Sequence, residues 1–170
     1  MLLGRDIQDD TFFNFFLIEK YIFYHIKYTV IYILNIISMS NKSKIVIFKG
    51  YWTVADVNKY PHALFIYGDN NIKKGKGGQA IIRDLPNTMG IPTKKSPSNH
   101  PDSFYNDYEY EDNIRRINNA VNDIIQKSQS YKYVVLPENG LGTGLAQLPK
   151  KAPKTYAYLV KLIEQLKQQI

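Results

Sequence analysis

The sequence predicts an α/β protein: a three-layer α/β/α sandwich on a mixed, largely parallel sheet. Three observations carry this. Short runs rich in β-branched and aromatic residues, at Lys44 to Phe48, Ala63 to Tyr67 and Tyr131 to Leu136, alternate with segments of helical period. Each of the two long helical segments has one apolar face, as a helix lying on a sheet requires. Two glycine-rich loops directly follow two of the strand runs, where open α/β sheets gather their ligands.

Residues 1–38 are set apart by their content of Phe, Ile and Tyr. The longest charge-free stretch at this end, Tyr28 to Asn41, has 14 residues, short of the roughly 20 that a spanning helix needs. Asp6, Asp9 and Asp10 precede the apolar part, where a secretory leader would be basic, so that reading is excluded as well. An interfacial helix or an extra core element would fit the composition, and so would translation of an AT-rich stretch. The abrupt change after residue 38 makes Met39 the expected native start and 39–170 the folded domain.

Within that domain, Lys44 to Phe48 and Ala63 to Tyr67 read as strands buried on both faces. Gln79 to Leu85 has helical character and ends ahead of Pro86. Gly90 to Thr93 reads as a brief strand, followed by a polar loop through Ser96, Pro97 and Pro101. From Glu111 on, Ile114, Ile117, Val121, Ile124 and Ile125 recur at helical spacing. The strand Tyr131 to Leu136 stops at Pro137, and a last helix gathers Tyr156, Leu159, Val160, Ile163, Leu166 and Ile170 on one face.

The formal charge is +7, which favours an anionic partner: a nucleotide, a nucleic acid or an acidic surface. There is no cysteine, so disulfides, thiolate catalysis and cysteine-based zinc sites are excluded. His62 and His100 lack a partner at ligand spacing, so no metal site is expected, and no cofactor is called for. With neither a leader nor a span read in the sequence, a cytoplasmic location is expected, and no membrane partner.

The first loop offers Gly68, Gly75, Lys76, Gly77, Gly78 and Gln79, and the second offers Gly140, Leu141, Gly142, Thr143 and Gly144. Runs of this kind let backbone N–H groups approach an anion with no Cβ in the way, so two facing cradles suit one extended diphosphate. A side chain at Gly142 is expected to fill that diphosphate path and leave the fold intact. Neither loop has the Gly-Lys-Ser/Thr ending of a P-loop or the GxGxxG of a dinucleotide fold. A flexible turn and a tight strand-to-helix connection account for the same glycines without a ligand.

Asp69 and Asn70, at a strand end beside the first loop, are the candidate catalytic pair, Asp69 as base or ribose acceptor and Asn70 orienting a hydroxyl or water. An Asx turn explains them equally. Lys94 and Lys95 follow another strand and suit a phosphate, or simply solvent. Arg83 reaches either the cleft or its neighbour Asp84. The aromatic stretch at 104–110, with Phe104, Tyr105, Tyr108 and Tyr110, either packs or stacks a base.

Gly-Asp-Asn at 68–70, Gly-Lys-Gly-Gly-Gln-Ala at 75–80, Val-Val-Leu-Pro at 134–137 and Gly-Leu-Gly-Thr-Gly-Leu-Ala at 140–146 together resemble the macrodomain superfamily, nearest its divergent phage and viral members. The resemblance covers about residues 63 to 153. It implies a domain that binds ADP-ribose or a related nucleotide, in some members hydrolysing an ADP-ribosyl ester or ADP-ribose phosphate, and for a viral chain a place in the host cytoplasm. It puts Asp69 and Asn70 near the distal ribose, Gly75 to Gly78 around the phosphates and Gly140 to Gly144 on the diphosphate's other side. The sequence departs from the family in carrying lysines in the first loop and in lacking an evident acidic residue for the adenine amine, Asp56 being the only nearby candidate. A basic, non-catalytic nucleic-acid-binding module using Lys73, Lys74, Lys76, Lys94 and Lys95 is the competing reading.

Overall fold

The structure is a computed structural model that describes the backbone of residues 9–40 and 43–170 and the side chains of 19–34 and 43–170. Two compact units divide the chain, Met1–Asn41 and Lys42–Ile170. In the first, helix α1 spans Asp9–Ser40 and so runs through the expected start at Met39. Its described side chains are all exposed, Phe23 at 72% among them. Among the described residues no helix is long and apolar enough to cross a membrane.

The second unit is the α/β domain. Its elements are β1 (Lys44–Phe48), α2 (Val54–Lys59), β2 (Ala63–Asn70), a 3-10 turn (Gly78–Ile82), β3 (Thr88–Lys94), two more 3-10 turns, α3 (Tyr110–Ser128), β4 (Tyr133–Pro137), α4 (Leu148–Lys151) and α5 (Pro153–Gln169). The sheet order is β1-β4-β2-β3 and every pairing is parallel, so the sheet is parallel throughout. β1 to β2 and β2 to β3 step the same way across the sheet, and β3 to β4 steps back. Right-handed crossovers then require α2 and the 3-10 turn on one face and α3 on the other.

The two cores follow that rule. Leu64 and Ile66 of β2 and Val134 and Leu136 of β4 pack with Ile117, Val121 and Ile124 of α3 and Leu159 and Leu166 of α5. The alternate residues, Ala63, Phe65 and Tyr67 with Val135, pack with Trp52, Val57, Ala80 and Ile82. β2 is thus buried on both faces, as its unbroken apolar run predicts. β1 is not. It lies at the sheet edge, paired only with β4, and leaves Val46 and Ile47 exposed at 37% and 46%. Val160, expected on the buried face of α5, is also exposed.

Local chemistry sets the ends of the elements. Thr53 and Asp56 form a reciprocal capping box that starts α2. α5 has no cap of its own, and Asp107 supplies one from a preceding turn, accepting from the N–H groups of Lys154 (2.8 Å) and Thr155 (3.0 Å) and from the Thr155 hydroxyl. Burial works to raise the Asp107 carboxyl, but those hydrogen bonds outweigh it and hold the pKa below its ordinary value. Phe104 and Tyr105 are buried, so this part of the aromatic stretch packs, while Tyr108 is fully exposed and Tyr110 meets Tyr158 edge to face.

Candidate functional site

Because all four strands are parallel, their carboxyl ends share one edge of the sheet. There β2 leaves toward the 3-10 turn on one face and β4 toward α4 and α5 on the other. Adjacent strands whose chains depart to opposite faces leave a crevice between them. A cleft of about 730 Å³ lies at this place, within the roughly 300–1,000 Å³ usual for small-molecule sites.

Most of the predicted residues line it: Gly68, Asp69 and Asn70 from β2, Gly75, Gly77, Gly78 and Gln79 from the first loop, Lys94 from β3, and Gly142, Thr143 and Gly144 from the second loop. Three predicted ligand residues do not. Lys76 turns to the surface and pairs with Asp84 at 2.7 Å. The apolar side chain of Leu141 goes into the core under α5. Gly140 borders a neighbouring groove, and its carbonyl is taken by Gln79.

The two loops are tied to each other. Gln79 Oε1 accepts from the Gly68 N–H at 2.9 Å, and Gln79 Nε2 donates to the Gly140 carbonyl at 2.9 Å. The Trp52 indole donates to the Gln79 carbonyl at 3.0 Å, bringing the segment after β1 into the same network. Gln79 therefore acts as a strut between the loops. A Cβ on Gly68 would lie 3.3 Å from Gln79 Oε1 and 3.4 Å from the Gly142 nitrogen, so glycine is what allows this approach. Leu145 of the second loop overhangs Gly77 and Gly78.

Gly142 has φ +78°, which favours glycine. A Cβ there would meet Leu148 and Thr93. The space beside it is filled by the protein, so the expectation that a larger side chain would block the ligand path and spare the fold is corrected. No hydrogen bond within the described residues takes up the N–H groups of Gly142, Thr143, Gly144 or Leu145.

Asp69 is buried and points to the face that carries the 3-10 turn. Arg83 grips both of its carboxylate oxygens, the Tyr67 hydroxyl donates to it at 3.3 Å and the Asn70 N–H at 2.6 Å. Burial works to lower the Arg83 pKa, and Asp69 more than reverses it. Burial also pushes the Tyr67 phenol up, with the charge of Asp69 adding to the effect. The carboxylate fits because β3 carries Gly90, where a Cβ would lie 2.6 Å from Asp69. A substrate hydroxyl would have to displace Arg83 before Asp69 took its proton. The Asn70 amide is clasped in turn by the main chain of Lys74, accepting from its N–H and donating to its carbonyl. This is the Asx-type closure of the loop.

Lys94 is the unusual cation of the cleft. It is only 5% exposed, its ammonium lies 4.1 Å from the centre of the Phe104 ring and 3.4 Å from the Leu145 carbonyl, and among the described residues no carboxylate lies within 4 Å of it. Burial lowers its pKa. Its neighbour Lys95 turns away to Glu109.

Gly50, Tyr51 and Trp52 also line the cleft, and the sequence reading missed them. Their position directly after the strand Lys44–Phe48 was the available signal. Asp56 does not line the cleft, its carboxylate being spent on the α2 capping box. Arg83 faces Asp69 in the cleft, leaving Asp84 to Lys76. No group of three or more His, Asp or Glu side chains among the described residues is placed to hold a metal ion.

A family model described as a family of unknown function (DUF7831) matches residues 47–162, which include every residue lining the cleft. The chain belongs to this family. No curated protein and no solved structure matches the chain. For this DUF7831 domain the geometry is therefore the guide to chemistry: a basic cleft at the strand ends, walled by main chain and containing no unpaired carboxylate among its described residues.

Proposed function

We propose that the cleft binds ADP-ribose or a related phosphorylated nucleotide, with the diphosphate seated on the second loop. The observation that carries this is Lys94, a buried ammonium that no carboxylate neutralises, in the same cleft as four loop N–H groups that no protein acceptor takes. A buried charge is costly unless it is paired, and an anion bound against the loop would pair it. The macrodomain resemblance of residues 63 to 153 points the same way. The reading is of binding: both candidate catalytic side chains, Asp69 and Asn70, are engaged by protein groups, and no separate observation favours hydrolysis.

The test is a thermal-shift panel of ADP-ribose, ADP, AMP, adenosine and a single-stranded oligonucleotide, repeated at two salt concentrations. ADP-ribose at a hundred times its Kd is expected to add about 2.7 kcal/mol of stability, with a shallow salt dependence, and adenosine is expected to have no effect. A steep loss of oligonucleotide binding with salt, and no response to ADP-ribose, would replace this reading with a nucleic-acid module using Lys73, Lys74 and Lys94.

A further inference from the structure

We infer that the cleft is blind to the identity of the base and takes nucleoside diphosphates as a class, with the base stacked on Tyr51. This rests on the diphosphate reading above. Distinguishing adenine from guanine requires a side chain that presents a fixed donor or acceptor to the base edge. In this cleft the polar side chains are spent on the protein itself. Asp69 is held by Arg83, Asn70 by Lys74, and Gln79 by Gly68 and Gly140. The Thr93 hydroxyl donates to the Asp69 carbonyl and that of Thr143 to the Asn139 carbonyl. The acid nearest the first strand, Asp56, is closed into its capping box and stands outside the cleft.

Asn139 is the amide that remains. Its side chain can turn either its carbonyl or its NH₂ toward a base, so it satisfies both purine edges and selects neither. What is left for the base is a ring. Tyr51 lines the cleft at 84% exposure, and an aromatic face stacks any base. Lys74, Lys94 and the main chain hold the phosphates, which all nucleoside diphosphates share.

Calorimetry with ADP, GDP, UDP, CDP, ADP-ribose and pyrophosphate on the full chain and on Tyr51→Ala tests this. ADP and GDP are expected to bind within tenfold of each other, with UDP and CDP weaker in keeping with their smaller rings. Tyr51→Ala is expected to weaken all four by roughly five- to a hundredfold and to leave pyrophosphate unaffected. Tyr51 is on the surface, so its removal spares the fold. Discrimination of ADP from GDP beyond tenfold would overturn the inference, as would nucleotide affinities unmoved by Tyr51→Ala. Binding of ADP-ribose with neither ADP nor GDP would also overturn it while keeping the proposed function. Failure of every compound to bind would remove both.

Discussion

Lys94→Met is expected to raise the thermal midpoint of the domain while lowering its affinity for ADP-ribose and pyrophosphate by about ten- to a hundredfold, the range for a lost hydrogen bond to a charged group. The two effects have opposite signs because Lys94 is a buried charge whose partners in the protein are a carbonyl at 3.4 Å and a ring face. Methionine keeps much of the length and apolar contact and removes the desolvation cost. The pH dependence follows. Burial holds the folded-state pKa of Lys94 below its unfolded value, so between the two the unfolded chain binds more protons, and the Lys94 contribution to stability rises as pH climbs through that window. Anion affinity falls over the start of the same rise, as the free protein loses the ammonium. Lys94→Met should flatten both trends. Calorimetry and thermal melts across neutral to alkaline pH would show this, and a variant that loses stability together with affinity would make Lys94 a structural residue.

Gly142→Val is expected to cost about 3 kcal/mol or more, from a β-branched residue forced to positive φ and from overpacking. The new Cβ would lie 3.1 Å from Leu148 Cβ and Cδ2 and 3.2 Å from Thr93 Cβ. Leu148 is fully buried in the main core and cannot yield without disturbing it. Such a loss is a large part of the 5–15 kcal/mol that stabilises an ordinary domain. Gly144, two residues on, is the contrast: nothing lies within 4 Å of its Cβ position, so Gly144→Ala should keep its stability and probe the ligand path alone. Urea unfolding of both variants decides it, and an unchanged midpoint in Gly142→Val would mean that the loop does not have this geometry.

What could be read from the sequence was local. The continuous apolar run of β2 and the helical periods of α3 and α5 each declare their burial within a few residues, and the glycine loops declare themselves by composition. α2 was missed because its six residues bury one apolar side chain, Val57, too few for a period to register, although Thr53 and Asp56 already spelled its cap. β1 has the same composition as a central strand, and only the pairing order makes it an edge. In the site, the positions of Gly68, Asp69 and Gly142 were legible because strand ends locate them. The bonds made by Asp69 and Gln79 were not, since Arg83 and Gly140 meet them only after the sheet has formed. Lys94 and Lys95 are adjacent lysines in sequence, and strand alternation alone sends one inward and the other to Glu109.

The parallel sheet also dictates an order of events during synthesis. No two of its strands are joined by a hairpin, so none can pair with a neighbour by closing a tight turn. β1, the first strand of the domain to leave the ribosome, has β4 as its only partner, with Lys44 opposite Tyr133 and Phe48 opposite Pro137. Until residue 137 has emerged, Ile45, Val46 and Ile47 have no strand to join. β2 and β3 can pair well before that, which makes them the seed on which the domain assembles and β1 the late arrival. The nascent chain thus carries an unpaired, β-prone segment at its front through most of translation, the kind of sequence that early-binding chaperones shield.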